Sequence, residues 1–114
     1  MKILFDQGTP VPLRSFLASH EVVTAFDRGW GELQNGDLLR AAEEDGFAAI
    51  ITTDQNLRYQ QHLPSRRLAI LVLLTTDWRR IRQDADSVVQ AVAALSSGDY
   101  VELPIRSLPK PEPR

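Results

Sequence analysis

Apolar residues along this chain fall into short runs, separated by segments of helical or turn character. Lys2 to Phe5 reads as a buried strand. Thr9, Pro10 and Pro12 suit a turn and the first turn of a helix. Val11, Leu13, Phe16 and Leu17 then predict a short helix over 11–18. Glu21 to Phe26 is β-branched and predicts a second strand. "DRGWGELQNG", with three glycines, reads as a loop. Leu38, Leu39, Ala41 and Ala42 stand at helical spacing within Asp37–Asp45, and Gly46 suits the position just past a helix end. Phe47 to Thr53 predicts a third strand, and Gln55 to Gln61 one or two helical turns. Leu68 to Leu74 is apolar without alternation, the mark of a strand covered on both faces. Thr76 or Asp77 is expected to cap the helical segments marked by Trp78, Ile81, Val88, Val89, Val92 and Leu95. Tyr100 to Leu103 predicts a short edge strand.

This alternation predicts an α/β domain with a mostly parallel central sheet, a three-layer α/β/α sandwich over residues 1–104. Right-handed crossovers limit the topologies to be considered. The remaining 105–114 segment, ending "RSLPKPEPR", is rich in proline and charge and is expected to be disordered.

The chain has 114 residues, apolar content of 43% and charged content of 25%, as for one ordinary globular domain. There is no cysteine, which removes disulfides and thiolate metal sites. The longest apolar run, "LAILVLL", is too short to span a bilayer. With no signal peptide in "MKILF", a cytoplasmic protein without membrane association is expected. Net charge is −2 and pI about 5.6, which excludes a broad basic nucleic-acid surface but not a local basic patch.

Two strands end alike: "KILFDQ" stops at Asp6 and "IITTDQN" at Asp54. Ligands of open parallel sheets bind outside the carboxyl ends of the strands, where strand order reverses. Asp37 opens the helix that leads into the third strand, so it belongs to the same edge. Two like charges about 4 Å apart repel by roughly 4 kcal/mol at an effective dielectric of 20. Three carboxylates brought together therefore suggest a cation, and hard oxygen ligands suit Mg²⁺ or Mn²⁺. Such an ion activates water and holds a phosphate for in-line attack, the chemistry of a metal-dependent nuclease. The alternative is structural. Asp54 would cap the 55–61 turn, Asp37 the 38–45 helix, and Asp6 would fix a turn.

"ILFDQGTP", "GDLLRAAEEDGF" and "IITTDQNL", in this order, resemble a compact bacterial family of PIN-like domains, many of which are similar to toxins of VapBC-type toxin–antitoxin pairs. The resemblance covers about residues 2–74, with weaker support through "TTDWRRI". It implies a Mg²⁺- or Mn²⁺-dependent endoribonuclease, with RNA as substrate, an antitoxin protein as partner and a homodimer as assembly. Carried over residue by residue, Asp6, Asp37 and Asp54 are the catalytic and metal-binding acids. Asn56 stands where many relatives carry a second Asp, and Gln7 where many carry Glu. Asp77 is a further candidate, with Asp27 and Glu32, for an acid that larger members place on a central helix. The thinner acidic set keeps a catalytically degenerate, protein-binding module as the alternative.

Arg79, Arg80 and Arg82 in "DWRRIRQ" leave the fourth strand at the same edge, and guanidinium groups there suit RNA phosphates. Their structural reading is a solvated helix face with arginines over Trp78. Arg58, just after Asp54, is a further RNA-binding candidate, and Tyr59 a packing residue. Trp30 is either exposed on its glycine loop or tucked under the sheet. His20 and His62 lack ligand spacing. A phosphoacceptor domain is disfavoured: it needs an acidic pair at the first strand and a lysine at the last, whereas Asp6 stands alone and the lysines are Lys2 and Lys110.

Overall fold

The computed structural model describes residues 1–33, 35–55 and 67–106. The expected turns at 55–61, with Asn56, Arg58, Tyr59 and His62, lie almost wholly outside the described residues, as does nearly all of the 105–114 segment.

Five strands form one all-parallel sheet: β1 (Lys2–Phe5), β2 (Glu21–Thr24), β3 (Ala49–Thr52), β4 (Ala69–Leu73) and β5 (Tyr100–Leu103). Their order is β2-β1-β3-β4-β5, a doubly wound arrangement with its switch point between β1 and β3. Register pairs Phe5 with Thr24 on one side and Ile51 on the other. The expected α/β sandwich is therefore present.

Side chains of a strand alternate between faces, and this alternation separates two apolar layers. Ile3, Phe5, Ala49, Ile51, Leu71 and Leu73 point to one face. There they meet Leu13 and Leu17 of a 3₁₀ helix (Val11–Leu17), Ile81 of α2 (Trp78–Gln83), and Val88 and Val92 of α3 (Ala85–Ala94). Leu4, Ile50, Ile70 and Val72 point to the other face, against Leu38, Leu39 and Ala42 of α1 (Asn35–Glu44). Full burial of one such side chain contributes about 1.5–3 kcal/mol. These two layers hold the sheet from both sides.

Several boundaries differ from expectation. The first helix is 3₁₀: Leu13 N–H bonds to the Pro10 carbonyl at 3.1 Å, and Pro12 has no N–H to continue an α ladder. β2 ends at Thr24, because Ala25 and Phe26 enter turns closed by Arg28 N–H to Thr24 O and Gly29 N–H to Phe26 O. α1 begins at Asn35, so Asp37 lies within its first turn and does not cap it. Asp77 is the cap of α2, accepting from Arg79 N–H at 2.9 Å.

Of the four crossovers, the three that run through described residues do not share one hand. The connection from β1 to β2 runs leftward in the sheet order under the 3₁₀ helix, and that from β2 to β3 runs rightward over α1 on the opposite face. Both have the same hand. The connection from β4 to β5 runs rightward over α2 and α3, on the 3₁₀ face, and so has the other hand. The right-handed rule cannot hold for all three. As a result α2 and its arginines flank the carboxyl edge from the face opposite α1.

Candidate functional site at the carboxyl edge of the sheet

Asp6 follows the last residue of β1, and its neighbour in register is Thr52, the last residue of β3. Thr52 has the parity of Ile50, so its side chain stands on the α1 face. Its hydroxyl donates to Asp6 Oδ2 and accepts from Asp54 N–H at 3.1 Å. One threonine thus ties the two carboxylate motifs together across the switch point.

Thr9 holds the other oxygen. Its hydroxyl lies 2.8 Å from Asp6 Oδ1 and 2.7 Å from the Ile51 carbonyl. It has one proton for two acceptors, and a carbonyl can only accept. The hydroxyl therefore donates to one of the two at a time. Burial raises the Asp6 pKa above its usual range. Bonds from the Thr52 and Thr9 hydroxyls and from the Gly8 and Thr9 backbone oppose it without cancelling it.

The turn after Asp6 is pressed against the turn after β3. A Cβ on Gly8 would stand 2.5 Å from Thr53 Oγ1, closer than side chains tolerate. Glycine is required here by approach, since its backbone φ is not positive. Gln7 turns outward, and its amide lies over Gly31 of the next loop, where a Cβ would meet it at 2.8 Å.

Asp37 is at the same sheet edge but is exposed, with Oδ1 3.2 Å from Arg40 Nη1 one turn on. Such an exposed pair contributes less than about 1 kcal/mol. Among the described residues, no three carboxylate or imidazole side chains come together as a metal-holding group. The oxygens of Asp6, Asp54 and Thr52 fit Mg²⁺ or Mn²⁺ in kind. In number they do not make a ready site.

The arginines separate. Arg79 and Arg82 are exposed. Arg80 turns inward: Nη2 donates to the Ile105 carbonyl at 2.8 Å, and Nε is buried without a partner among the described residues. Trp78 packs on Phe16, with ring centroids 6.1 Å apart. Trp30 is half-buried against the edge of Phe47, and Arg28 lies over both rings. Asp77 is occupied as a helix cap. Asp27, exposed, sits 3.7 Å from Arg14.

Thr52 and Thr9 are the site residues that sequence reasoning passed over. Their signal was the threonine two before Asp54 and the one three after Asp6. No family model matches this chain, and no curated protein or solved structure matches it. No helix among the described residues is long and apolar enough to cross a membrane.

Proposed function

We propose that this chain is a PIN-like endoribonuclease that uses Mg²⁺ or Mn²⁺, a cytoplasmic toxin component that pairs with an antitoxin protein and forms a homodimer. The observation that carries the reading is the Asp6–Thr52–Asp54 unit at the β1/β3 switch point, the place where doubly wound sheets bind ligands. The order and spacing of the "FDQGT", "GDLLRAA" and "ITTDQN" motifs supply the family resemblance. Asp6 and Asp54 are the residues that would hold an ion, and Asp37 would join them by leaving Arg40.

A second reading has its own support. Asp6 is enclosed by two hydroxyls and Asp37 is paired, which suits a PIN-like module that binds a protein and cleaves nothing. One experiment separates the two. Purified protein is incubated at equimolar ratio with structured and unstructured RNAs, with Mg²⁺, Mn²⁺ or EDTA. The nuclease reading expects slow cleavage that EDTA and Asp54→Asn both abolish. RNA left intact with either metal would select the binding module.

A further inference from the structure

Phe26 is the most exposed large apolar residue of the described chain, 77% accessible. Its ring makes no aromatic or cation contact among the described residues. It is held out by two turn bonds, Arg28 N–H to Thr24 O at 3.2 Å and Gly29 N–H to Phe26 O at 3.0 Å. The Asp27 N–H also donates to Thr24 Oγ1 at 3.0 Å. An apolar ring on so constrained a turn is placed rather than stranded.

The ring lines a cavity of about 500 Å³ between this turn and the start of the 3₁₀ helix, a size within the range of small-molecule sites. Asp6 lines the same cavity, with Gln7, Thr9, Val11 and Arg14. The ring thus stands among polar residues, Thr24 and Asp27 included, with Val11 as the other apolar residue of the lining. A protein hot spot is a pocket for an apolar anchor, whereas a nucleobase offers a π-face to stack and an edge to hydrogen-bond. Gln7 has both a donor and an acceptor for such an edge. Among the described residues Arg14 is paired with Asp27, at 3.7 Å with both side chains exposed. A pair of that kind is weak, so a phosphate can take its place.

We infer that Phe26 is the stacking platform of a single-stranded RNA subsite beside Asp6, with Gln7 at the base edge and Arg14 at a phosphate. This rests on the ribonuclease reading above and names where the nucleotide next to the reacting one is held. Truncating a stacking aromatic weakens single-strand binding by about five- to a hundredfold.

The test uses the full chain in EDTA and a fluorescein-labelled single-stranded RNA hexamer, followed by anisotropy. A set of hexamers with one abasic position, moved along the strand, is measured in parallel. Phe26→Ala is expected to weaken binding about tenfold, and Phe26→Trp to restore it. At one abasic position the Phe26→Ala effect should vanish, because the base that stacks is already missing. The exposed ring leaves little reason for either variant to misfold, and circular dichroism checks this. Wild-type protein that binds or cleaves RNA while Phe26→Ala does so equally well overturns the subsite and leaves the ribonuclease reading standing. Wild-type protein that neither binds nor cleaves RNA overturns both. If Phe26→Ala instead turns a dimer into a monomer by light scattering, with RNA affinity unchanged, the ring belongs to a protein interface and the subsite is wrong.

Discussion

Replacing Thr52 by valine tests the hydrogen-bonded unit at the switch point. The two side chains have nearly the same shape, and Thr52 is only 2% exposed, so the change leaves no cavity and keeps a β-branched residue in β3. What it removes is one hydroxyl with two bonds. The bond to Asp6 Oδ2 has a carboxylate as acceptor, worth about 1.5–3 kcal/mol when ionised; that from Asp54 N–H is neutral, worth about 0.5–1.5 kcal/mol. Water can reach part of this edge, so the expected loss at pH 7 is about 2–4 kcal/mol, a large share of a typical 5–15 kcal/mol. The pH dependence has a definite sign. Burial raises the folded pKa of Asp6 above its ordinary 3.8. Stability from such a group is complete below the unfolded pKa and is withdrawn as pH rises through the folded one. Thr52→Val removes a bond that favours the ionised form and so raises that pKa further. The cost of the substitution should therefore grow between pH 4 and pH 7. Urea unfolding at both pH values measures it, with and without Asp6→Asn. In the Asp6→Asn background the cost should fall to about 1 kcal/mol and lose its pH dependence. An equal cost at both pH values, undiminished in that background, would mean that Thr52 does not act through Asp6.

Two further expectations concern the edges of the fold. Asp84, 1% exposed, would have its pKa raised by burial, but bonds from Ser87 Oγ, Arg106 N–H and the Arg106 guanidinium overcome this and lower it. Its stabilisation is present above the ordinary carboxylate value and is lost as pH falls through the folded one; Asp84→Asn should cost about 2–3 kcal/mol at pH 7 and progressively less in acid melts, and a constant cost down to pH 2 would count against the ion pair. Arg79→Ala should reduce the salt slope of RNA binding by about one, whereas Arg80→Ala should leave the slope alone and cost about 1–2 kcal/mol by freeing the Ile105 carbonyl; the reverse pattern would place Arg80, not Arg79, on phosphate.

The strands were legible because their burial is two-sided. "ILF", "AII" and "AILVL" are apolar without interruption, and each fills both layers of a parallel sheet. Tyr100–Leu103 was found from four residues alone and matches β5. What failed was decided by partners far along the chain. Helical segments were expected between Trp78 and Ser96, but not where they part: that point is Asp84, which bonds to Ser87 and to Arg106, more than twenty residues on, and nothing in "RQDADS" points to Arg106. The inward turn of Arg80 depends on Ile105 in the same way. Phe26 read as strand because apolar character does not distinguish a buried ring from a presented one. The carboxyl-edge address of Asp6, Asp37 and Asp54 was legible from topology. The partners of Asp6 and Asp37 were not, because Thr52 reaches Asp6 from 46 residues away and the Asp37–Arg40 pair is a local choice that periodicity does not report.

The position of Asp6 explains why two walls of different chemistry meet there. At the switch point the chain leaves β1 for one face and reaches β3 by way of the other. Asp6 and Thr52 come directly after and at the end of the apolar runs of β1 and β3, and although Thr52 is buried and Asp6 half-buried they bond to each other, so polar side chains are tolerated there. On the α1 face stand Thr52 and, in the first turn of α1, Asp37, where the helix dipole favours negative charge. Towards the other face lie Val11 and Arg14 of the 3₁₀ helix, with the Phe26 turn beyond. A strand of RNA crossing this edge would meet carboxylates on one side and a ring with a guanidinium on the other. Asp6, reached from both, is the residue whose protonation state such a ligand would feel first. A phosphate near Asp6 would repel the ionised carboxylate and raise its pKa further. By linkage, RNA binding at this edge should then strengthen as pH falls through the Asp6 titration, and Asp6→Asn should remove that dependence. An RNA affinity in EDTA that stays flat from pH 4 to pH 8 in wild-type protein would mean the phosphate sits away from Asp6.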